Sequence, residues 1–138
     1  MLHYHEIRKS AMSDTLTHSI RVRTESYYVP EQSDPRNGHY HFAYNIRITN
    51  EGLEPARLLT RHWIITNGVG RVQEVRGSGV IGKQPRLDPG ESFEYTSACP
   101  LTTPYGQMRG VYHMVSGSGD SFDVAIGAFQ LFTPAILN

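Results

Sequence analysis

Cysteine is almost absent from this chain of 138 residues. Cys99 stands alone, which excludes an intrachain disulfide framework and any multi-cysteine zinc site. Net charge is absent too. Thirteen Lys and Arg offset thirteen Asp and Glu, so the chain has no global attraction to phosphate, and a wholly basic nucleic-acid binder is disfavoured. No apolar run approaches the roughly 18 residues that a membrane-crossing helix needs, and the N-terminus carries no signal-peptide core. These absences point to a cytoplasmic protein that does not enter membranes. Helical periodicity, internal repeats and linkers are also missing, which leaves a single domain long enough to bury a real core.

What is present is period two. Over His39 to Asn50, the residues Tyr40, Phe42, Tyr44, Ile46 and Ile48 alternate with His39, His41, Ala43, Asn45 and Arg47, one face packed and one wet. The same alternation runs through Ile20–Arg23, Phe93–Tyr95, Met108–Met114 and Phe122–Ile126. Its phase slips at Gly127, so that Phe129 and Leu131 continue on the other parity; a bulge or bend is the natural cause. Leu58 to Ile65 is apolar on both parities except at Arg61 and His62, and it reads as a central strand that carries the only Trp, Trp63, into the core. Turn signals separate these runs at Asp34–Gly38, Asn50–Gly52, Asn67–Gly68, Asp88–Gly90, Thr103–Gly106 and Gly117–Asp120. Short strands spaced by turns predict an all-β, antiparallel sandwich of about seven or eight strands over residues 17–138. Met1 to Leu16 shows no stable period and reads as a flexible tail.

Several separated motifs resemble the ApaG family. They are Phe42–Asn50, Arg61–Gly68, Val72–Pro85, Pro89–Ser97 and Thr103–Tyr112, in that order. The resemblance covers roughly Thr17 to Leu137. It implies a sandwich of the immunoglobulin or fibronectin type III kind. Bacterial members are small, stand-alone proteins of undefined biochemistry, linked by genetics to cobalt resistance and magnesium efflux and by gene neighbourhood to a dinucleotide tetraphosphate hydrolase. Similar eukaryotic domains are joined to an F-box protein and to a DNA-polymerase-interacting protein, where they look like partner-binding modules. The chain departs from the family pattern at Ser78, where an acidic residue is common, at Ala98-Cys99-Pro100 and at Gly127-Ala128.

Gly77-Ser78-Gly79-Val80-Ile81-Gly82 spells GxGxxG. A dinucleotide site would need a helix directly after it inside a βαβ unit, and Pro85 and Pro89 follow instead. Two uses remain open: glycines that shape a tight crossing or bulge, and a nest of backbone N–H groups that holds phosphate. Charge favours attention to this stretch. Residues 57–86 contain six Arg or Lys and only Glu74, a local excess of +5, with −5 over the rest. Arg61, Arg76, Gly77, Gly79, Gly82 and Lys83 are the candidate anion-binding residues, suited to a small phosphate-containing anion such as pyrophosphate.

Other chemistry is sparse. His39 and His41 share one strand face and could chelate a divalent metal if His62, His113 or a carboxylate supplied a third ligand; the plainer expectation is two surface histidines. Cys99 has the parity of Phe93 and Tyr95 and should point inward as a small hydrophobe. No GxSxG, HExxH or P-loop occurs. Tyr27, Tyr28 and Tyr105 are candidate partner-contacting aromatics or ordinary packing. The sequence thus predicts a non-enzymatic binding domain that needs no cofactor and takes an unnamed protein partner or a small anion, a homodimer being one form of partnership. The rival is a metal-dependent enzyme acting on nucleotides or pyrophosphate through the Gly77–Gly82 loop.

Overall fold

Alternating apolar side chains become strands that share one buried layer. The computed structural model describes residues 10–134. One sheet contains, in spatial order, β1 (Ser10–Thr17), β2 (Ile20–Tyr28), β3 (Tyr40–Asn50) and β7 (Ser92–Leu101). The other runs β5 (Val72–Ser78), β4 (Ala56–Asn67), β8 (Tyr105–Ser116) and β9 (Ser121–Phe132), with the short β6 (Arg86–Leu87) also paired to β4. All pairings are antiparallel. The predicted antiparallel sandwich is the fold found.

Two bulges set which residues face the core. On β4, Leu58 pairs with Met114 and Thr60 with His113, so Leu59 is extra. Leu58 and Trp63, five apart, therefore both turn inward and are buried. On β9, Phe129 pairs with Met108 and Ile126 with Gly110; that is the phase slip expected at Gly127. Between the sheets Tyr44, Trp63 and Phe129 form an aromatic triad with ring centroids 5.5–6.0 Å apart and tilted or edge-on geometry, which suits aromatic quadrupoles.

The flexible tail is corrected for Ser10 to Leu16. Those residues belong to β1, hydrogen-bonded to β2 from Ser10↔Tyr27 to Thr17↔Ile20; Met1 to Lys9 lie outside the described residues. The physical reason is what β1 presents inward. It turns hydroxyls rather than hydrocarbon toward the second sheet, so no apolar period marks it. Ser13 Oγ donates to Gly127 O at 2.9 Å, Thr17 Oγ1 accepts from the Ala125 N–H at 3.3 Å, and from β2 Ser26 Oγ donates to Gln130 O at 2.6 Å. The edge of β9 is satisfied by side chains instead of by another strand. With β1 and the two-residue β6 included, the strands among the described residues number nine, against the expected seven or eight.

The approach at this seam is close. A Cβ on Gly127 would lie 2.3 Å from Thr15 Oγ1. Gly127→Ala should therefore cost about 1–3 kcal/mol of unfolding free energy in denaturant titration. A cost below about 0.5 kcal/mol would mean that the seam has slack.

Candidate functional site

The sandwich is closed along the β1–β9 side and open along the other, where β5 and β7 are edge strands with one hydrogen-bonded neighbour each. Between them lies a recess of 290 Å³ lined by Tyr44, Arg61, Trp63, Val75, Ser97 and Cys99, among others. A second recess of 220 Å³ shares Ile65, Gln73 and Pro100 with it and extends to Arg71. Neither contains a carboxylate among its lining residues.

Arg61 faces this seam because it is inward on β4, paired with Gly77 on one side and Tyr112 on the other. Its Nη1 donates to Ser78 O at 3.0 Å and to Gly79 O at 2.9 Å. Gly77 makes room for it, since a Cβ there would lie 2.7–2.8 Å from the guanidinium. Among the described residues no carboxylate forms an ion pair with Arg61. The guanidinium is half-buried, hydrogen-bonded to neutral carbonyls and uncompensated in charge.

Behind it lie three tyrosine hydroxyls. Tyr95 and Tyr112 share a 2.5 Å hydrogen bond. Burial raises the Tyr44, Tyr95 and Tyr112 hydroxyls above the usual range, and the nearby Arg61 charge works in the opposite direction on all three.

The sequence-predicted anion residues do not converge. Arg76 pairs with His62 on β4, so its side chain occupies the face opposite Arg61, where its Nη2 donates to Glu74 at 3.2 Å. Lys83 closes a tight turn with Val80, each N–H donating to the other's carbonyl at 2.8–2.9 Å. Ile81 and Gly82 both have positive φ, 42° and 77°, as the two central residues of a type I′ turn require. Gly79 has φ 62° and a Cβ there would lie 2.2 Å from Lys83 O. Its N–H donates to Leu59 O at 2.8 Å. The N–H groups of Gly79, Val80 and Lys83 are thus engaged inside the protein, and the glycines shape a crossing. No helix follows the loop; β6 does.

His39 and His41 are neighbours, with ring centroids 6.2 Å apart. Among the described residues no group of three or more His, Cys, Asp or Glu could hold a metal ion. His62 bonds Glu74 at 2.7 Å and His113 bonds Asp123, both on the outer face of the second sheet. Tyr28 packs on Phe42 at 5.5 Å. Tyr105 is 46% exposed, and its hydroxyl donates to Gly68 O at 2.8 Å. A larger recess, 580 Å³, lies at the other end of the strands; its lining includes Glu51, Glu54 and Asp120 but neither Lys nor Arg, so it is poorly suited to an anion.

The ApaG domain family model matches residues 30–116, well over half of the chain. The chain belongs to the ApaG family. A protein ApaG of Bordetella pertussis is 56% identical over 121 residues, covering 88% of this chain and 92% of that one. A protein ApaG of Dechloromonas aromatica is 54% identical over 127 residues, covering 92% of this chain and all of its own. The crystal structure of a Bordetella pertussis ApaA protein matches with a TM-score of 0.83 at 56% identity, over 87% of this chain and 98% of that one. No helix among the described residues is long and apolar enough to cross a membrane.

Two residues of this recess were hidden in the sequence. Ser97 and Cys99 on β7 line the recess, yet nothing in a period-two pattern says that their strand is an edge. Cys99 is buried as expected, and burial pushes its thiol from 9.0 up to about 11. It remains a neutral thiol at neutral pH, which removes it as a nucleophile. The folded chain holds this proton more tightly than the unfolded chain does. The associated stability is therefore complete below pH 9 and lost as pH rises through about 11. Unfolding free energy should fall across that window, with Cys99→Ala removing on the order of 2 kcal/mol of the fall. An equal fall in Cys99→Ala would show that the thiol does not contribute, and rapid alkylation of native Cys99 at neutral pH would contradict its burial.

Proposed function

We propose that this ApaG-family chain is a non-enzymatic binding module that receives an anionic group at Arg61 in the open seam between β5 and β7. One observation carries this reading. A half-buried guanidinium with no ion-pair partner among the described residues lines a recess that has no carboxylate. Partly burying an uncompensated charge is unfavourable, and an incoming anion would relieve that cost. Ser97 and Gln73 can add hydrogen bonds from the same recess. The ligand is either a free anion such as pyrophosphate or an acidic group on a protein partner.

The glycine loop takes a supporting part in this proposal. Its carbonyls orient Arg61, while the N–H groups of Gly79, Val80 and Lys83 are engaged elsewhere. That disfavours the rival enzyme, whose phosphate cradle would need those N–H groups free. The strand order supports the immunoglobulin and fibronectin type III likeness: β4, β8 and β9 neighbour one another as strands C, F and G do, and β2, β3 and β7 as A, B and E do. A cytoplasmic location belongs to the same proposal.

Titration with pyrophosphate at low salt should shift NMR signals of Arg61, Ser97 and Gln73, and the shifts should shrink steeply as salt is added. Arg61→Gln should weaken binding at least about tenfold, the scale set by losing one charge-assisted pair. Gln73→Glu should act alike by placing a carboxylate beside the guanidinium, whereas Arg76→Gln should have little effect. Shifts confined to Arg76 and Gly79 to Lys83 would move the site to the loop, and no shifts up to millimolar ligand would remove it. Incubation with dinucleoside polyphosphates and magnesium should release no phosphate; release would favour the enzyme.

A further inference from the structure

The two seams of the sandwich differ by one strand. On the closed side β1 adds to the edge of β2 and covers β9 with inward hydroxyls. On the open side β7 is the corresponding edge of the same sheet, ten residues long, and among the described residues no strand adds to it. Its inward residues, Tyr95, Ser97 and Cys99, face the recess or the core beside it. Its outward residues Ser92, Glu94, Thr96 and Ala98 are exposed. The joined recesses follow β4 from Arg61 to Asn67. At the usual rise per residue that is roughly 20 Å, the length of about six extended residues. The floor is apolar, made by Trp63, Ile65 and Met108. Arginines, Arg61 and Arg71, stand along its length with no carboxylate among the lining residues.

These features fit a strand better than a compact ion. A segment added to β7 would present alternate side chains inward. Apolar ones would lie over Trp63 and Ile65, and an acidic one would meet Arg61, whose planar donors suit a carboxylate. Main-chain hydrogen bonds along β7 would supply affinity, and the inward acid would supply selection. Resting on the anion-binding reading above, we propose that the open seam receives an extended acidic segment of a partner protein as an added strand on β7, its carboxylate turned onto Arg61.

The probe is a blocked heptapeptide, Ser-Val-Thr-Val-Thr-Glu-Ser, whose two Val and one Glu share one strand face, compared with the same peptide carrying Gln for Glu and with inorganic pyrophosphate. Binding is followed by NMR and by amide hydrogen exchange on the whole chain. The expected result is saturable binding of the Glu peptide, with exchange slowed at alternate amides of β7. Binding should fall at least about tenfold for the Gln peptide, for Arg61→Gln and for Gln73→Glu. Gln73 is exposed, so the last variant tests the charge even if Arg61→Gln perturbs the loop. A variant of the outer face, His113→Gln, should bind normally. Pyrophosphate binding without peptide binding would overturn the strand inference and leave the anion reading standing. Failure of both ligands would overturn both. Slowed exchange on β5 or β1 in place of β7 would overturn the assignment of the edge. So would a free protein already dimeric through β7, because a second copy would then hold that edge.

Discussion

A sandwich of two open sheets has four edges, and every edge carries backbone groups that must be hydrogen-bonded or wet. How this chain treats its edges governs the rest of its architecture. Along one seam Ser13, Thr17 and Ser26 bond the backbone of β9 directly. That contact demands a strand approaching within van der Waals distance of Gly127, and the bulge at that residue supplies the opening. Once this seam is shut by side-chain oxygen, the lateral seam that stays open is the one between β5 and β7.

On the open side the chain places its most awkward group. Arg61 is inward-facing on a central strand, at a position where a hydrocarbon would be ordinary. The crossing at Gly77 to Lys83 tolerates it by turning the carbonyls of Ser78 and Gly79 toward the guanidinium. The aromatic triad of Tyr44, Trp63 and Phe129 gives the recess a stiff floor, and the Tyr95–Tyr112 hydrogen bond satisfies the hydroxyls beneath. Among the described residues no buried side-chain nitrogen or oxygen lacks a partner. The unmet demand is one of charge alone, which is why an anion is the natural ligand class.

Much of the fold was legible in the sequence, because period two with apolar residues on one parity is a direct image of burial on one sheet face. Tyr40 to Ile48 and the slip at Gly127 are visible that way, and the inward Trp63 is visible in a run apolar on both parities. β1 was not, because its inward residues are hydroxyls that contact backbone, and such a strand has no hydrophobic signature. The site was half legible. Arg61 stood out as a charge within an apolar run, and clustering of basic residues drew attention to 57–86. Linear clustering could not say that Arg76, one step along the paired strand, faces the other side of the sheet. Nor could GxGxxG reveal that the Gly79 N–H is used internally, since that depends on the β4 bulge at Leu59, whose carbonyl receives it.

The asymmetry of the two seams can be measured without any ligand. Residue-resolved amide hydrogen exchange of the free protein should find the Ala125 amide strongly protected, although it lies on an edge strand, because Thr17 Oγ1 accepts its proton. Alternate amides of β7, facing the open seam, should exchange quickly. Protection on every β7 amide equal to that of Ala125 would contradict this, since the seam assigned to ligand would then already be closed.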